Sequence, residues 1–315
     1  MKRESLWLSV IYCVAHFPLL LTTGCFYDDW VLYHADPQMN IGLWWNTGRP
    51  LTGYFLNMMH ALDGTFVPRL VTFVMYLLAA LFLLYVLRTM DIVDPAARFL
   101  VVVVFAVFPA DSTRILAMLA CDSLYFCLFF LGWYLVAVYM RKGTLIVRLA
   151  ALSAFLLSFW LNSLLVFYSL VLLYMIYMFS QTNISFQSVR QFIARYPDFL
   201  LIPIVFWLVQ RTVFPPQEAE AGYNQFHLVG LYPRHWLSAL KSSVADPMIY
   251  SAIPFDWFWF AAVLVGAILL FLMLRKAIGE ESRNDRRDFV LLICGFYALF
   301  AALFPYLAVY KMPGH

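Results

Sequence analysis

Charge is scarce in this chain. Only 12% of its 315 residues are Asp, Glu, Lys or Arg, roughly half the share of a typical soluble domain. A water-covered globule needs a polar surface that this composition does not supply. Cysteine is sparse too: Cys13, Cys25, Cys121, Cys127 and Cys294 show no paired metal spacing and fall mostly within apolar runs, where they read as packing residues. No internal repeat or low-complexity tract is evident, which argues against solenoids and arrays. The net charge of +3 is spread over connecting segments and points to no nucleic-acid partner.

What is abundant is apolar length. Hydrophobic residues make up 64% of the chain and the mean hydropathy is +0.79. Runs near the ~20 residues that cross a bilayer recur from end to end. Continuous runs select helices, because a membrane barrel would show short alternating patterns instead. The predicted fold is all-α, a polytopic transmembrane bundle of about nine spans: 6–24, 67–87, 97–110, 114–140, 145–161, 163–180, 198–214, 256–274 and 289–310. The third is short and the fifth and sixth are nearly continuous, so these are the candidates for broken or re-entrant helices.

Orientation follows from the cations. With the N-terminus in the cytoplasm, 14 of the 21 Lys and Arg fall in cytoplasmic segments and seven outside. Lys2 and Arg3 before an apolar run also fit a signal peptide, but no small-x-small cleavage site precedes Cys25, so the first span reads as a signal anchor. An Asn-Ile-Ser sequon at Asn183 falls in a predicted cytoplasmic loop and is not expected to be glycosylated. The chain 1–315 reads as a single transmembrane domain, either whole or the N-terminal part of a longer bundle. Its expected outer segments are a first loop at 25–66 that includes an amphipathic helix, a short turn near 109–114, and a loop at 215–255.

The residues able to do chemistry gather on that outer side. Asp28 and Asp29, in Phe26-Tyr27-Asp28-Asp29-Trp30, are adjacent acids at a membrane edge. Mutual repulsion and partial desolvation raise carboxylate pKa values, which suits a general base, with Asp28 as base and Asp29 as partner. Such a pair can also hold a divalent cation, or simply be a hydrated loop start beside an anchoring Trp. Arg49, confined in Gly48-Arg49-Pro50, is placed to take a phosphate bidentately, or to pair with Asp28, Asp29 or a lipid headgroup. The stretch Leu51 to Leu62 after it can lie flat on the membrane. Trp30, Trp44 and Trp45 read as interfacial anchors.

Asp111 stands where a helix N-cap is needed, and Arg114 is spaced to pair with it. At about 100° per residue Asp122 lies on nearly the same helix face as Asp111 and, by helix rise, about 16 Å deeper. A carboxylate at that depth is either functional or a hydrogen-bonded packing group. Asn162 sits between two spans and either joins helices or caps one. His227, Arg234 and His235 are the cationic candidates of the 215–255 loop.

This layout resembles the GT-C superfamily of integral-membrane glycosyltransferases, which includes the protein O-mannosyltransferases and the bacterial lipid A aminoarabinose transferases. The similarity is carried by Phe26-Tyr27-Asp28-Asp29-Trp30 with Gly48-Arg49-Pro50. It is also carried by Phe108-Pro109-Ala110-Asp111 with Asp122-Ser123-Leu124, and by the polar Ser158 to Leu164 stretch. The resemblance implies inverting transfer from a polyprenyl-phosphate sugar to a glycan, lipid or protein acceptor at a bacterial inner membrane, with membrane lipids around the site. It implies that a first-loop Asp is the base and that Asp111 assists the acceptor. The leaving phosphate would be held by Arg49, Arg114, Arg234 and His235. Some relatives use a divalent metal and others none. The chain is shorter than typical members. The rival readings are a lipid-linked-glycan flippase, with Asp122 and Asn162 lining its path, and a non-catalytic envelope-assembly protein.

Overall fold

The computed structural model of the chain describes residues 2–22, 24–26, 29–30, 36–62, 64–90, 95–107, 114, 116–180, 186–217 and 233–241. The spans expected at 256–274 and 289–310, and most of the 215–255 loop, lie outside the described residues. Regular structure among the described residues is helical. In chain order the helices are α1 (Lys2–Leu21), α2 (Pro37–Asn46), α3 (Pro50–Leu62), α4 (Phe66–Met90), α5 (Pro95–Val107) and α6 (Ala120–Lys142). They continue with α7 (Leu145–Ser158), α8 (Ser163–Ser180), α9 (Phe186–Arg195), α10 (Pro197–Val213) and α11 (Pro233–Leu240).

Among the described residues, four helical segments are long and apolar enough to cross a membrane: Arg3–Leu21, Phe66–Met90, Ala117–Lys142 and Ser163–Ser180. The bent pair α9–α10, with 65° between its halves, makes a fifth if counted as one span. Two of the predicted spans come out shorter than a bilayer crossing. α5 has 13 residues and α7 has 14, only about 20 Å at 1.5 Å per residue against a hydrocarbon core of ~30 Å. For α7 the shortness follows from turn chemistry: it stops in the Phe159–Asn162 turn before α8 begins.

Exposed surface on these helices is apolar, as a lipid-facing surface should be. Along α1, Leu6, Val10, Val14, Phe17 and Leu21 are all exposed, whereas Leu8 and Tyr12 are fully buried. The two sets repeat at helical spacing on separate faces. In water such a stripe would be an aggregation surface; in a bilayer it is the ordinary outer face of a span.

α6 is the central helix, packed along α4 on one side and α7 on another. Gly132 lets α7 approach, since a Cβ there would come 3.0 Å from the Phe155 ring. Phe129, Phe130, Trp133, Phe155, Phe159 and Tyr168 fill the space with a mixture of edge-on and stacked rings. α1 and α5 pack on α4 through a second cluster built from Leu8, Tyr12, Tyr76, Leu84 and Val103. α6 ends at Gly143, whose φ of 68° suits the left-handed closing turn, and its N–H bonds Tyr139 O at 2.7 Å.

The ends of the bundle differ in chemistry. At one end, Glu4 of α1 accepts from Arg88 of α4 (Nε to Oε2, 3.0 Å) and from Arg98 of α5 (3.3 Å). In the first turn of α7, Arg148 bonds Asp198 of α10 (Nε to Oδ2, 2.7 Å) and the Tyr139 hydroxyl at 3.1 Å. Its guanidinium lies against the rings of Tyr139, Tyr196 and Phe199. This is the basic end. The opposite end carries the residues considered next.

Candidate functional site

The first loop folds into a helical hairpin, α2–α3. Asp36 opens α2 by accepting from Gln38 N–H at 2.8 Å, with Pro37 in the first turn. The turn 47–49 is closed by Gly48 N–H to Trp45 O (2.9 Å) and Arg49 N–H to Trp44 O (2.8 Å). Gly48 has φ 76°, and a Cβ there would lie 2.8 Å from Phe214 O; only glycine combines that backbone with that approach. Gly53 lets the helices touch, because a Cβ would meet Ile41 Cα at 3.0 Å and Trp44 Cβ at 3.2 Å. Asn40 Nδ2 donates to Asn57 Oδ1, and Asn57 Nδ2 to Pro37 O, each at 2.7 Å.

Two seams seat the hairpin on the bundle. Gln217 N–H bonds Asn46 O at 2.8 Å, while Trp45 and Trp160 both meet the Phe214 ring edge-on. On the other side, Thr52 Oγ1 and the Tyr125 hydroxyl share a hydrogen bond of 2.8 Å, and Cys121 Sγ lies 3.7 Å from Thr52 O. Sequence reasoning passed over Thr52 and Tyr125. The available signal was their spacing: Thr52 follows Arg49 by three positions, and Tyr125 follows Asp122 by three.

That docking places Arg49 beside the start of α6, and it corrects the depth expected for Asp122. Leu116 is extended (φ −80°, ψ 117°), a single 3-10 turn spans Ala117–Leu119, and the α-helix begins at Ala120. No continuous helix links residue 111 to 122, so Asp122 stands in the first turn of α6 and not some three turns down it. The helix dipole favours a carboxylate there.

Arg49 and Asp122 are both half-buried. The Arg49 charge reaches Asp122, Cys121 and Tyr125 electrostatically. Yet among the described residues the two form no ion pair, and neither side chain makes a hydrogen bond. Asp122 is exceptional in this. Of the five carboxylates among the described residues, Glu4, Asp29, Asp36 and Asp198 all accept hydrogen bonds.

Asp29 is fully buried. Its Oδ1 accepts from Met118 N–H at 3.1 Å and its Oδ2 from Phe26 N–H at 3.3 Å. It ties the end of the first span to the turn that opens α6, which is a capping and fastening role. Arg114 is likewise turned inward. Its Nη1 bonds Ala106 O and meets His16 Nε2 at 2.9 Å, its Nη2 donates to Phe105 O at 3.2 Å, and it stacks over Tyr76 at 4.2 Å. It satisfies the last carbonyls of α5. Arg69, which sequence reasoning also passed over, does the same for the end of the first span by bonding Thr22 O and Gly24 O.

The remaining candidates are placed as follows. Asn162 lies in the α7–α8 turn, its buried Oδ1 without a partner among the described residues. Arg234 is exposed on α11 and its Nε approaches His235 Nε2 at 3.2 Å. Trp44 is buried within the hairpin contact and is not an interfacial anchor; Trp30 and Trp45 are exposed. Asp28, Asp111 and His227 lie outside the described residues. No group of three or more His, Cys, Asp or Glu able to hold a metal ion is gathered among the described residues. No protein-family profile, curated protein or solved structure matches this chain.

Proposed function

We propose that this chain is an integral-membrane glycosyltransferase of the GT-C kind, or the N-terminal part of one, working at the outer face of a bacterial inner membrane. It moves a sugar from a polyprenyl-phosphate donor to an acceptor hydroxyl with inversion. The observation that carries the reading is Arg49 (a cation with no protein partner among the described residues, held on a docked first-loop hairpin at one end of an apolar bundle). A lipid-linked donor presents its phosphate at the membrane boundary and its tail in the hydrocarbon. A fixed guanidinium at that boundary suits the charge that grows on the phosphate as it leaves.

In this reading a first-loop acid takes the proton of the acceptor hydroxyl. The acceptor oxygen attacks the anomeric carbon, and the bond from that carbon to the phosphate oxygen breaks. The phosphate departs with the electron pair, met by Arg49. Asp28 is the base, because both oxygens of Asp29 already accept backbone N–H groups. Asp111 assists the acceptor. Arg234 and His235 complete the phosphate seat. The rival conduit reading drew on Asp122 as a deep carboxylate, and its place in the first turn of α6 supports a role at one end of the bundle instead.

Mass spectrometry of lipids that copurify with the protein tests the reading. The expected result is a polyprenyl phosphate or its glycosylated form, depleted in an Arg49→Ala preparation. Recovery of bulk phospholipids alone, unchanged by the substitution, would overturn it.

A further inference from the structure

The transferase reading assigns Arg49 a task but leaves its neighbour without one. Asp122 is the one carboxylate among the described residues that accepts no hydrogen bond. It is also half-buried at the edge of an apolar bundle, where an idle charge is costly. A merely structural acid in the first turn of α6 would be turned onto a backbone amide, as Asp29 is at Met118. Thr52 shares a hydrogen bond with the Tyr125 hydroxyl and lies against Cys121, and neither of these contacts uses Asp122. Arg49, one turn before Thr52, is near enough for its charge to reach Asp122, yet the two form no ion pair. A cation and an anion near each other but unpaired can both be satisfied by one ligand that carries an anionic group beside hydroxyl donors.

Resting on that reading, we propose that Asp122 recognises the sugar of the donor, accepting hydrogen bonds from its hydroxyls while Arg49 holds the adjoining phosphate. A carboxylate repels phosphate, so the group it faces must be a donor. Sugar hydroxyls one ring away from a phosphate supply donors at the required separation. Charge-assisted bonds of this type are worth about ten- to a hundredfold in affinity. Asp122 is then a specificity residue for the glycosylated donor and contributes nothing to binding of the bare lipid phosphate.

Binding to the full chain in lipid nanodiscs separates these roles. The probes are farnesyl phosphate, its glucosyl, galactosyl and mannosyl esters, inorganic phosphate, and phosphatidylglycerol as a hydroxyl-bearing phospholipid. The parent should bind at least one hexosyl ester about tenfold or more tightly than farnesyl phosphate. Asp122→Ala should abolish that preference while leaving farnesyl phosphate affinity unchanged, and Asp122→Asn should keep part of it. Arg49→Ala should weaken both classes. Thermal unfolding of Asp122→Ala should match the parent, since no protein hydrogen bond is lost. An unchanged preference in Asp122→Ala, or no preference for any ester in the parent, overturns the proposal. Phosphatidylglycerol competing as well as the best ester also overturns it, and makes the site a phospholipid seat. Failure of every farnesyl probe to bind the parent sinks the transferase reading itself.

Discussion

Adjacent residues in this chain have unlike duties, and the two first-loop acids show it best. A dipeptide of acids reads from sequence as a shared pair. Asp29 is fully buried and fastens the end of the first span to the turn opening α6 through two backbone amides. Asp29→Ala should therefore cost about 1–3 kcal/mol by stranding buried donors, seen as a lower unfolding temperature in detergent. Asp28→Asn should unfold like the parent yet lose about 10²–10⁴ in turnover, the usual cost of removing a general base. Parental stability in Asp29→Ala would remove the fastening role. Parental turnover in Asp28→Asn would leave the transferase reading without its base. Gly48 is a third single-residue case. Gly48→Ala should destabilise by roughly 1–2 kcal/mol from its backbone alone, with further loss from the approach to Phe214 O, and should reduce donor binding because Arg49 follows directly.

At the scale of elements, the α2–α3 hairpin is the part that makes a site out of a bundle. One face is buried through Thr52, Gly53, Leu56 and Met59. The other exposes Leu51, Tyr54, Met58 and Leu62, spaced as a second apolar stripe. The hairpin therefore reads as lying in the membrane boundary with its outer stripe toward lipid. A fluorophore on a cysteine at Met58 should be strongly quenched by brominated lipid, and one at Gln38, exposed at the start of α2, only weakly. Equal quenching at both positions would place the hairpin elsewhere. The seam to α6 is equally open to measurement. Thr52→Val and Tyr125→Phe should be non-additive, coupled by about 1 kcal/mol in a double-mutant cycle, as a shared buried hydrogen bond implies.

For the whole molecule the question is sidedness. The cluster of Glu4, Arg88 and Arg98 and the pair Arg148–Asp198 join helix ends at the basic end of the bundle. The hairpin, Asp122 and Asn162 belong to segments at the opposite helix ends. The proposed orientation puts the basic end in the cytoplasm. In a variant lacking the native cysteines, a membrane-impermeant thiol reagent should label a cysteine at Gln38 from outside intact cells and fail to label one at Lys142. Labelling in the reverse sense would move the whole site to the cytoplasm and exclude an outer-face transferase.

Composition alone determined that this is a helical chain built for lipid, because apolar length is a one-dimensional property that no packing can hide. The turn at Gly48-Arg49-Pro50 and the helix after it were legible for a similar reason: glycine and proline act on the backbone locally. The depth of Asp122 was not legible. It depended on whether the helix runs unbroken from residue 111, and Leu116 breaks it where Asp29, far off in sequence, takes the Met118 amide. Nor did the sequence tell that Arg114 turns inward to Phe105 and Ala106, or that Arg49 comes beside the start of α6 while Asp29 is taken by backbone amides. Those outcomes depend on which distant donor meets which acceptor once the helices pack, and only the tertiary structure decides that.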